Sequence, residues 1–159
     1  MDEVTLKIDT PLGELYLTCS NRGLSKVSWT NLNNKKLIDS YNPGEMLILD
    51  ETISQLNEYF SGKRRVFNLQ LNLSGTDFQN LVWEELANIP YGQTHSYEDI
   101  AKKINQPKAS RAVGKANGRN QLCIIIPCHR VIGKSGKLSG YVGGIEIKRK
   151  LLELEGNNG

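Results

Sequence analysis

The chain has 159 residues and a mass of 17.8 kDa, room for one ordinary domain or two small ones, with 38% hydrophobic and 23% charged residues. That balance excludes a disordered chain, and no apolar run approaches the roughly 20 residues of a membrane helix, so no membrane partner is expected. The net charge of +3 hides an asymmetry: residues 102–150 hold 12 Lys and Arg against one acid, Glu146, a concentration suited to a polyanion such as nucleic acid. Met1-Asp2-Glu3-Val4 is acidic, without the apolar stretch of a secretory signal. The three cysteines, Cys19, Cys123 and Cys128, show no CxxC spacing. Reduced thiols in a cytoplasmic protein are expected, with no disulfide framework and no metal site.

Val4, Leu6 and Ile8 alternate with Thr5, Lys7 and Asp9, as in a half-buried strand. Turns at residues 9–13 and 21–23 separate it from a second strand carrying Leu15 and Leu17 and a third ending near Trp29. After a polar stretch at 31–44, Ile53, Leu56 and Phe60 recur at helical spacing, with Gly62 as the stop. Phe67, Leu69, Leu71 and Leu73 alternate with polar residues and predict another strand. Residues 1–73 thus read as a small α/β domain of sheet plus helix, with no chemistry in it.

From residue 74 to 159 the pattern becomes helical. Thr76 and Gln79 form a capping box for a helix with Phe78, Val82 and Leu86 on its apolar stripe. Ser96 is the N-cap of a second helix, and Asn105-Gln106-Pro107 breaks it before a third, about 108–117. Any αα-hairpin fits this spacing, but the third helix has the composition of the second member of a helix-turn-helix. Lys108, Arg111 and Lys115 are cationic, while Ala109, Ser110, Ala112 and Gly114 are small. Val113 and Ala109 are expected to face inward. Such a surface suits phosphates and groove shape better than base edges.

Residues 122–126 are continuously apolar and predict a strand buried on both faces. The run ends in Pro127-Cys128-His129-Arg130. A thiol beside His and Arg lies in electropositive surroundings that favour thiolate, so Cys128 is the candidate nucleophile. Cys19 and Cys123 read as inert buried hydrophobes. On an extended chain His129 and Cys128 point to opposite sides, and a bridging water would connect them. A turn at 134–137 and a glycine-rich loop at 139–144 follow, without a Walker or GxGxxG pattern. The last helix is expected to turn Ile147, Leu151 and Leu154 inward. Glu155 at its C-terminus is unfavourable for the helix dipole unless it is solvated or faces His129, whose tautomer it would then set.

Ser96-Tyr97, residues 109–114, Asn120, the Pro-Cys-His-Arg core, Tyr141-Val142-Gly143-Gly144 and residues 151–156 stand in the order and spacing of one family. Over about residues 76–156 the chain closely resembles the O6-alkylguanine-DNA alkyltransferases. The resemblance implies a mainly helical, winged helix-turn-helix-like domain carrying the active cysteine. It implies stoichiometric transfer of an alkyl group from O6 of guanine, with O4 of thymine as a second substrate, in duplex DNA to Cys128 after nucleotide flipping, without cofactor. His129 would act through a water as base, Glu155 would orient it, and Asn120 would brace the turn. Tyr97 would hydrogen-bond the guanine ring at N3, the Val131 carbonyl would accept from the exocyclic amine, the Val142 N–H would reach O6, and Tyr141 would wall the pocket. Arg111 matches the arginine that fills the gap left by the flipped nucleotide, on a helix entering the minor groove. Some family members carry a Ser where Val142 stands, and the N-terminal zinc site of some members is missing, since Cys19 and His95 lack companions. A related non-enzymatic group has Trp in place of the acceptor Cys, and Cys128 separates this chain from that group. A monomer is expected, and the alternative function is a module that recognises alkylguanine in DNA and transfers nothing.

Overall fold

The computed structural model describes residues 3–31, 43–138 and 140–156. It divides into two compact units, Met1–Ser74 and Gly75–Gly159. In the first, β1 (Val4–Thr10), β2 (Gly13–Ser20) and β3 (Gly23–Ser28) form an antiparallel meander in that order, joined by two-residue turns. Leu15, Leu17 and Cys19 alternate to one face of β2 and are wholly buried, with Leu49, Leu56 and Tyr59 of α1 (Pro43–Phe60) in the same core. The helix is longer than the apolar spacing predicts, opening on Pro43, whose fixed φ suits a first turn. Of the polar stretch expected at 31–44, residues 32–42 lie outside the described residues, as do Met1-Asp2 at the N-terminus.

The strand predicted from Phe67, Leu69, Leu71 and Leu73 does not form. Only a single parallel bridge joins Leu71 to Leu24, through Leu24 N–H to the Gln70 carbonyl (2.9 Å) and Asn72 N–H to the Leu24 carbonyl (2.8 Å). The Gln55 side chain of α1 takes the place of a neighbouring strand for Asn68. It donates to the Asn68 carbonyl and accepts from its N–H, both at 2.9 Å. Gly23 permits the close approach: a Cβ there would lie 2.8 Å from the Gln70 carbonyl oxygen.

In the second unit, the Thr76–Gln79 capping box starts α2 (Asp77–Ala87), as its spacing predicts. Ser96 caps α3 (Tyr97–Lys103) in a second reciprocal box with Asp99. After the break at Asn105, which takes a left-handed φ of 60°, α4 runs Ser110–Gly118, starting two residues later than expected. Trp83 of α2 donates to the Ala116 carbonyl at 2.9 Å, tying these helices together. β4 (His95–Ser96) pairs in parallel with β5 (Val131–Ile132), and α5 (Ile145–Leu154) closes the unit.

The run at 122–126 is buried except for the half-buried Ile125, but it is a turn and not a strand. Ile126 N–H bonds the Leu122 carbonyl at 2.9 Å, Ile125 N–H bonds the Cys123 carbonyl at 2.8 Å, and Ile124 sits at φ 72°. For a β-branched residue that conformation is an outlier, held only where the surroundings over-determine it. Asn120 does so: its Oδ1 accepts from Leu122 N–H at 3.0 Å and its Nδ2 donates to the Ile126 carbonyl at 2.8 Å.

Candidate active site

The clamped turn delivers Pro127 and then a single 3-10 turn, Cys128–Arg130. The segment is helical where the expectation took it as extended, and the His129 side chain is engaged by Glu155. Cys128 is only 4% exposed yet lines a cleft of about 310 Å³ with Tyr97, Gly114, Asn117, Gly118, Gly140, Tyr141 and Val142. A cleft of this size is at the lower end of small-molecule pockets. Four residues named from sequence, Cys128, Tyr97, Tyr141 and Val142, therefore meet on one concave surface with Gly114 of α4.

His129 and Arg130 turn the other way, onto Glu155. His129 Nε2 is 2.8 Å from Glu155 Oε2, and Arg130 grips both carboxylate oxygens at 2.8 and 2.9 Å while donating to the Ile89 carbonyl at 2.7 Å. Gly92, at φ 83°, lets the Tyr91-Gly92 turn approach this corner, where a Cβ would be 3.2 Å from the Glu155 carbonyl. Burial acts to raise the Glu155 carboxyl, but the hydrogen bonds from His129 and Arg130 outweigh it and hold the group at about 2. Burial pushes the His129 imidazole down, against the opposing pull of Glu155. The pair is thus a neutral imidazole donating Nε2–H to an ionised carboxylate. Nδ1 is left as the acceptor, buried and without a protein partner.

The cationic neighbours expected to activate Cys128 are consequently occupied elsewhere. The thiol is nevertheless held below its ordinary value, first by a hydrogen bond from the Cys123 side chain, opposed by burial, then by one from Asn120 and by the charge of Lys148. Cys123 is buried, and the neighbouring Cys128 and burial hold its thiol well above the ordinary value, so it stays protonated. Cys19 is inert: burial pushes it up to about 11, and its thiol points at the Glu45 carbonyl.

Lys148 escaped the sequence reading. The buried stripe of α5 is Lys148, Leu151 and Leu152, continued by Glu155, in place of Ile147, Leu151 and Leu154. The spacing i, i+3, i+4, i+7 was the available signal, masked because two of its four members are charged. Lys148 Nζ donates to the Val131 carbonyl at 2.7 Å and the Gly140 carbonyl at 3.3 Å. The Val131 carbonyl thus already has one donor, and the residue does not line the cleft. Asn117, also unnamed from sequence, donates to the Cys128 carbonyl at 3.4 Å. Ser139 of the glycine-rich loop lies outside the described residues.

On α4, Val113, Ala116 and Asn117 are buried, and Ala109, expected to face inward with Val113, is half-buried. Lys108, Arg111, Ala112 and Lys115 are exposed, with Ser110 and Gly114 half-buried between them. Lys102, Lys103, Lys134 and Arg130 are each paired with an acid, whereas Lys108, Arg111 and Lys115 form no ion pair among the described residues. The cationic edge of α4 is available to an outside anion.

Residues 5–73 match the family model for the 6-O-methylguanine DNA methyltransferase ribonuclease-like domain, and residues 77–157 match that for the DNA binding domain of the same family. A methylated-DNA–protein-cysteine methyltransferase of Methanosarcina barkeri is 47% identical over 95% of this chain and 96% of its own length. One of Mycobacterium bovis is 49% identical over 93% of this chain and 89% of its own. The crystal structure of Mycobacterium tuberculosis O6-methylguanine methyltransferase superposes with a TM-score of 0.83 at 44% identity, covering 97% of this chain and 93% of that one. The Mycobacterium tuberculosis protein OGT in complex with DNA superposes with a TM-score of 0.82 at 47% identity, covering 95% and 91%.

Proposed function

We propose that this chain, which belongs to the 6-O-methylguanine DNA methyltransferase family, repairs DNA by direct reversal, moving an alkyl group from O6 of guanine in duplex DNA to its own Cys128. The observation that carries the proposal is Cys128 itself: a thiol held below its ordinary value, lining a cleft whose rim is the exposed cationic helix α4. In the transfer the sulfur attacks the alkyl carbon, the S–C bond forms and the C–O6 bond breaks. The electron pair leaves on the guanine, which takes up a proton. The thioether is stable, so each molecule acts once.

The remaining roles are those that the family resemblance implies for these side chains. The free Nδ1 of His129 is the base for the thiol proton, and Glu155 steadies the imidazolium that results. Tyr97 supplies the proton to the departing ring at N3, while Tyr141 walls the base and the Val142 N–H reaches O6. Asn120 holds the turn that presents Cys128. The Val131 carbonyl accepts from the exocyclic amine with its second lone pair. Residues 74–159 carry both DNA binding and alkyl acceptance. Within them α4 lies in the minor groove, with Lys108, Ser110 and Lys115 on phosphates, the small surface of Ala109, Ala112 and Gly114 against the groove, and Arg111 in the gap left by the flipped nucleotide. The protein works as a cytoplasmic monomer.

Intact mass before and after incubation with an O6-methylguanine duplex tests the reading. One methyl per chain, mapped to Cys128 and lost in Cys128→Ser while duplex binding persists, is the expected result. Undiminished transfer by Cys128→Ser, or binding with no mass change in the wild type, would leave a recognition module in place of a transferase.

A further inference from the structure

Arg130 ends the 3-10 turn that begins with Cys128, and the transfer chemistry above gives it no part. It is buried, and each of its nitrogens is held. Nε and Nη2 donate to the two oxygens of Glu155 at 2.8 and 2.9 Å, and Nη1 donates to the Ile89 carbonyl at 2.7 Å. The guanidinium carbon stands 5.6 Å over the centre of the Tyr91 ring, whose hydroxyl donates to the Leu154 carbonyl at 3.3 Å, next to Glu155. A guanidinium keeps its charge at any ordinary pH and offers only donors, so the carboxyl that it forks stays ionised. Glu155 Oε2 is also 2.8 Å from His129 Nε2, which is therefore the protonated nitrogen of the ring. Without the guanidinium, the buried pair would hold a second proton, because imidazolium and carboxylate sum to zero whereas imidazole and carboxylate carry −1. With it the balance reverses: Arg130, Glu155 and a neutral His129 sum to zero, and a proton on Nδ1 would leave a buried positive charge. Lys148, the other cation acting on His129, pushes in the same direction.

We propose that Arg130 is a positioning residue for alkyl transfer: by forking both oxygens of Glu155 it balances the carboxylate charge, so that His129 rests neutral, gives Nε2–H to Glu155 and keeps Nδ1 open for the thiol proton. The inference rests on His129 being the base in the transfer proposed above. The balancing charge arrives only during reaction. The S–H bond of Cys128 breaks, its proton goes to Nδ1, and the thiolate left behind offsets the new imidazolium. The imidazole is thus loaded by the thiol and not by solvent.

The chain has two histidines, His95 and His129, so nitrogen-15 labelling of histidine in the full protein gives two rings by NMR, and His95→Gln tells them apart. Wild-type His129 should show the Nε2–H tautomer and stay neutral as pH falls through the ordinary 6.5. Arg130→Gln, neutral but still a donor, should let the pair take up its second proton. The His129 midpoint should then rise by about one pH unit or more, the size expected when a nearby charge is removed. The acid limb of the single-turnover rate on an O6-methylguanine duplex should rise with it, which loosened packing alone would not cause. Arg130→Lys, which restores the charge, should bring both most of the way back. An unmoved midpoint in Arg130→Gln, or a Lys variant that titrates like the Gln variant, overturns the proposal. Should Arg130→Gln not fold, the wild type decides. A neutral Nε2–H ring below pH 6.5 upholds the proposal, and an imidazolium at pH 7 or a neutral ring protonated at Nδ1 overturns it. Normal wild-type transfer with an unmoved midpoint removes only the role of Arg130. A moved midpoint without wild-type transfer removes the function proposed above and leaves the charge balance standing.

Discussion

His129 Nε2 and Glu155 Oε2 lie 2.8 Å apart, with both side chains sealed from solvent. The contact joins residues 26 positions apart and explains how an acid is tolerated at the C-cap of α5. The helix dipole disfavours it there, but two hydrogen bonds from the Arg130 guanidinium and one from the imidazole offset that cost. With His129 neutral, the three groups sum to no net charge. The cluster is therefore stable in the resting protein and ready to accept one proton.

Replacing either member should slow transfer. His129→Ala removes the base, and Glu155→Gln removes the charge that stabilises the imidazolium, so single-turnover rates against pH should show the activity of both variants displaced to higher pH. Glu155→Gln also leaves Arg130 as an unpaired buried cation, and should lower stability by about 3–5 kcal/mol in denaturant titration. Coincident pH–rate profiles for wild type and variants would rule out the relay.

Acid should unfold the protein in two stages. The folded His129 pKa is depressed below the ordinary 6.5, so the unfolded chain binds the extra proton and stability begins to fall as pH drops through 6.5. The folded Glu155 pKa is depressed from 4.5 to about 2, so its contribution is complete above 4.5 and lost as pH falls towards 2. Urea midpoints should hold between pH 8 and 7 and decline from there to pH 3, and in His129→Gln the decline between 6.5 and 5 should be shallower. A wild-type midpoint that is flat from pH 7 to 5 would contradict this assignment of protonation states.

Asn120→Ala should act on both fold and thiol. It strips Leu122 N–H and the Ile126 carbonyl of their partners in a buried turn that already contains a left-handed isoleucine, a loss of about 2 kcal/mol or more. It also removes one donor to Cys128. A lower urea midpoint together with slower iodoacetamide labelling of Cys128 is expected, and a change in only one of these would separate the two roles.

Arg111→Ala distinguishes gap filling from an ordinary phosphate contact. Extruding a nucleotide costs a few kcal/mol of unstacking, which a long, planar cation in the gap partly offsets. The variant should repair paired duplex poorly while reacting normally with free O6-alkylguanine, which needs no extrusion. A lesion opposite a mismatch should be partly rescued. Equal loss on mismatched and paired duplex would reduce Arg111 to a phosphate contact, seen as a salt slope lower by about one.

What the sequence determined by itself was local. The Thr76–Gln79 box, the Ser96 cap, the two-residue strand turns and the cationic, small-residue face of α4 are written in spacings of two to four residues, where geometry follows from the backbone alone. The Pro-Cys-His-Arg core likewise singles out Cys128. Tertiary structure decided the rest, because the deciding partners are distant in the chain. Alternating residues at 67–73 and an apolar run at 122–126 both satisfy the pattern of a strand, yet neither forms one. The Gln55 and Asn120 side chains supply backbone hydrogen bonds that a neighbouring strand would otherwise make. Lys148 turns inward against its own chemistry because two backbone carbonyls, at Val131 and Gly140, converge on its ammonium. Periodicity records which side chains avoid water, and it carries no record of which hydrogen-bond partner will be waiting where they are buried.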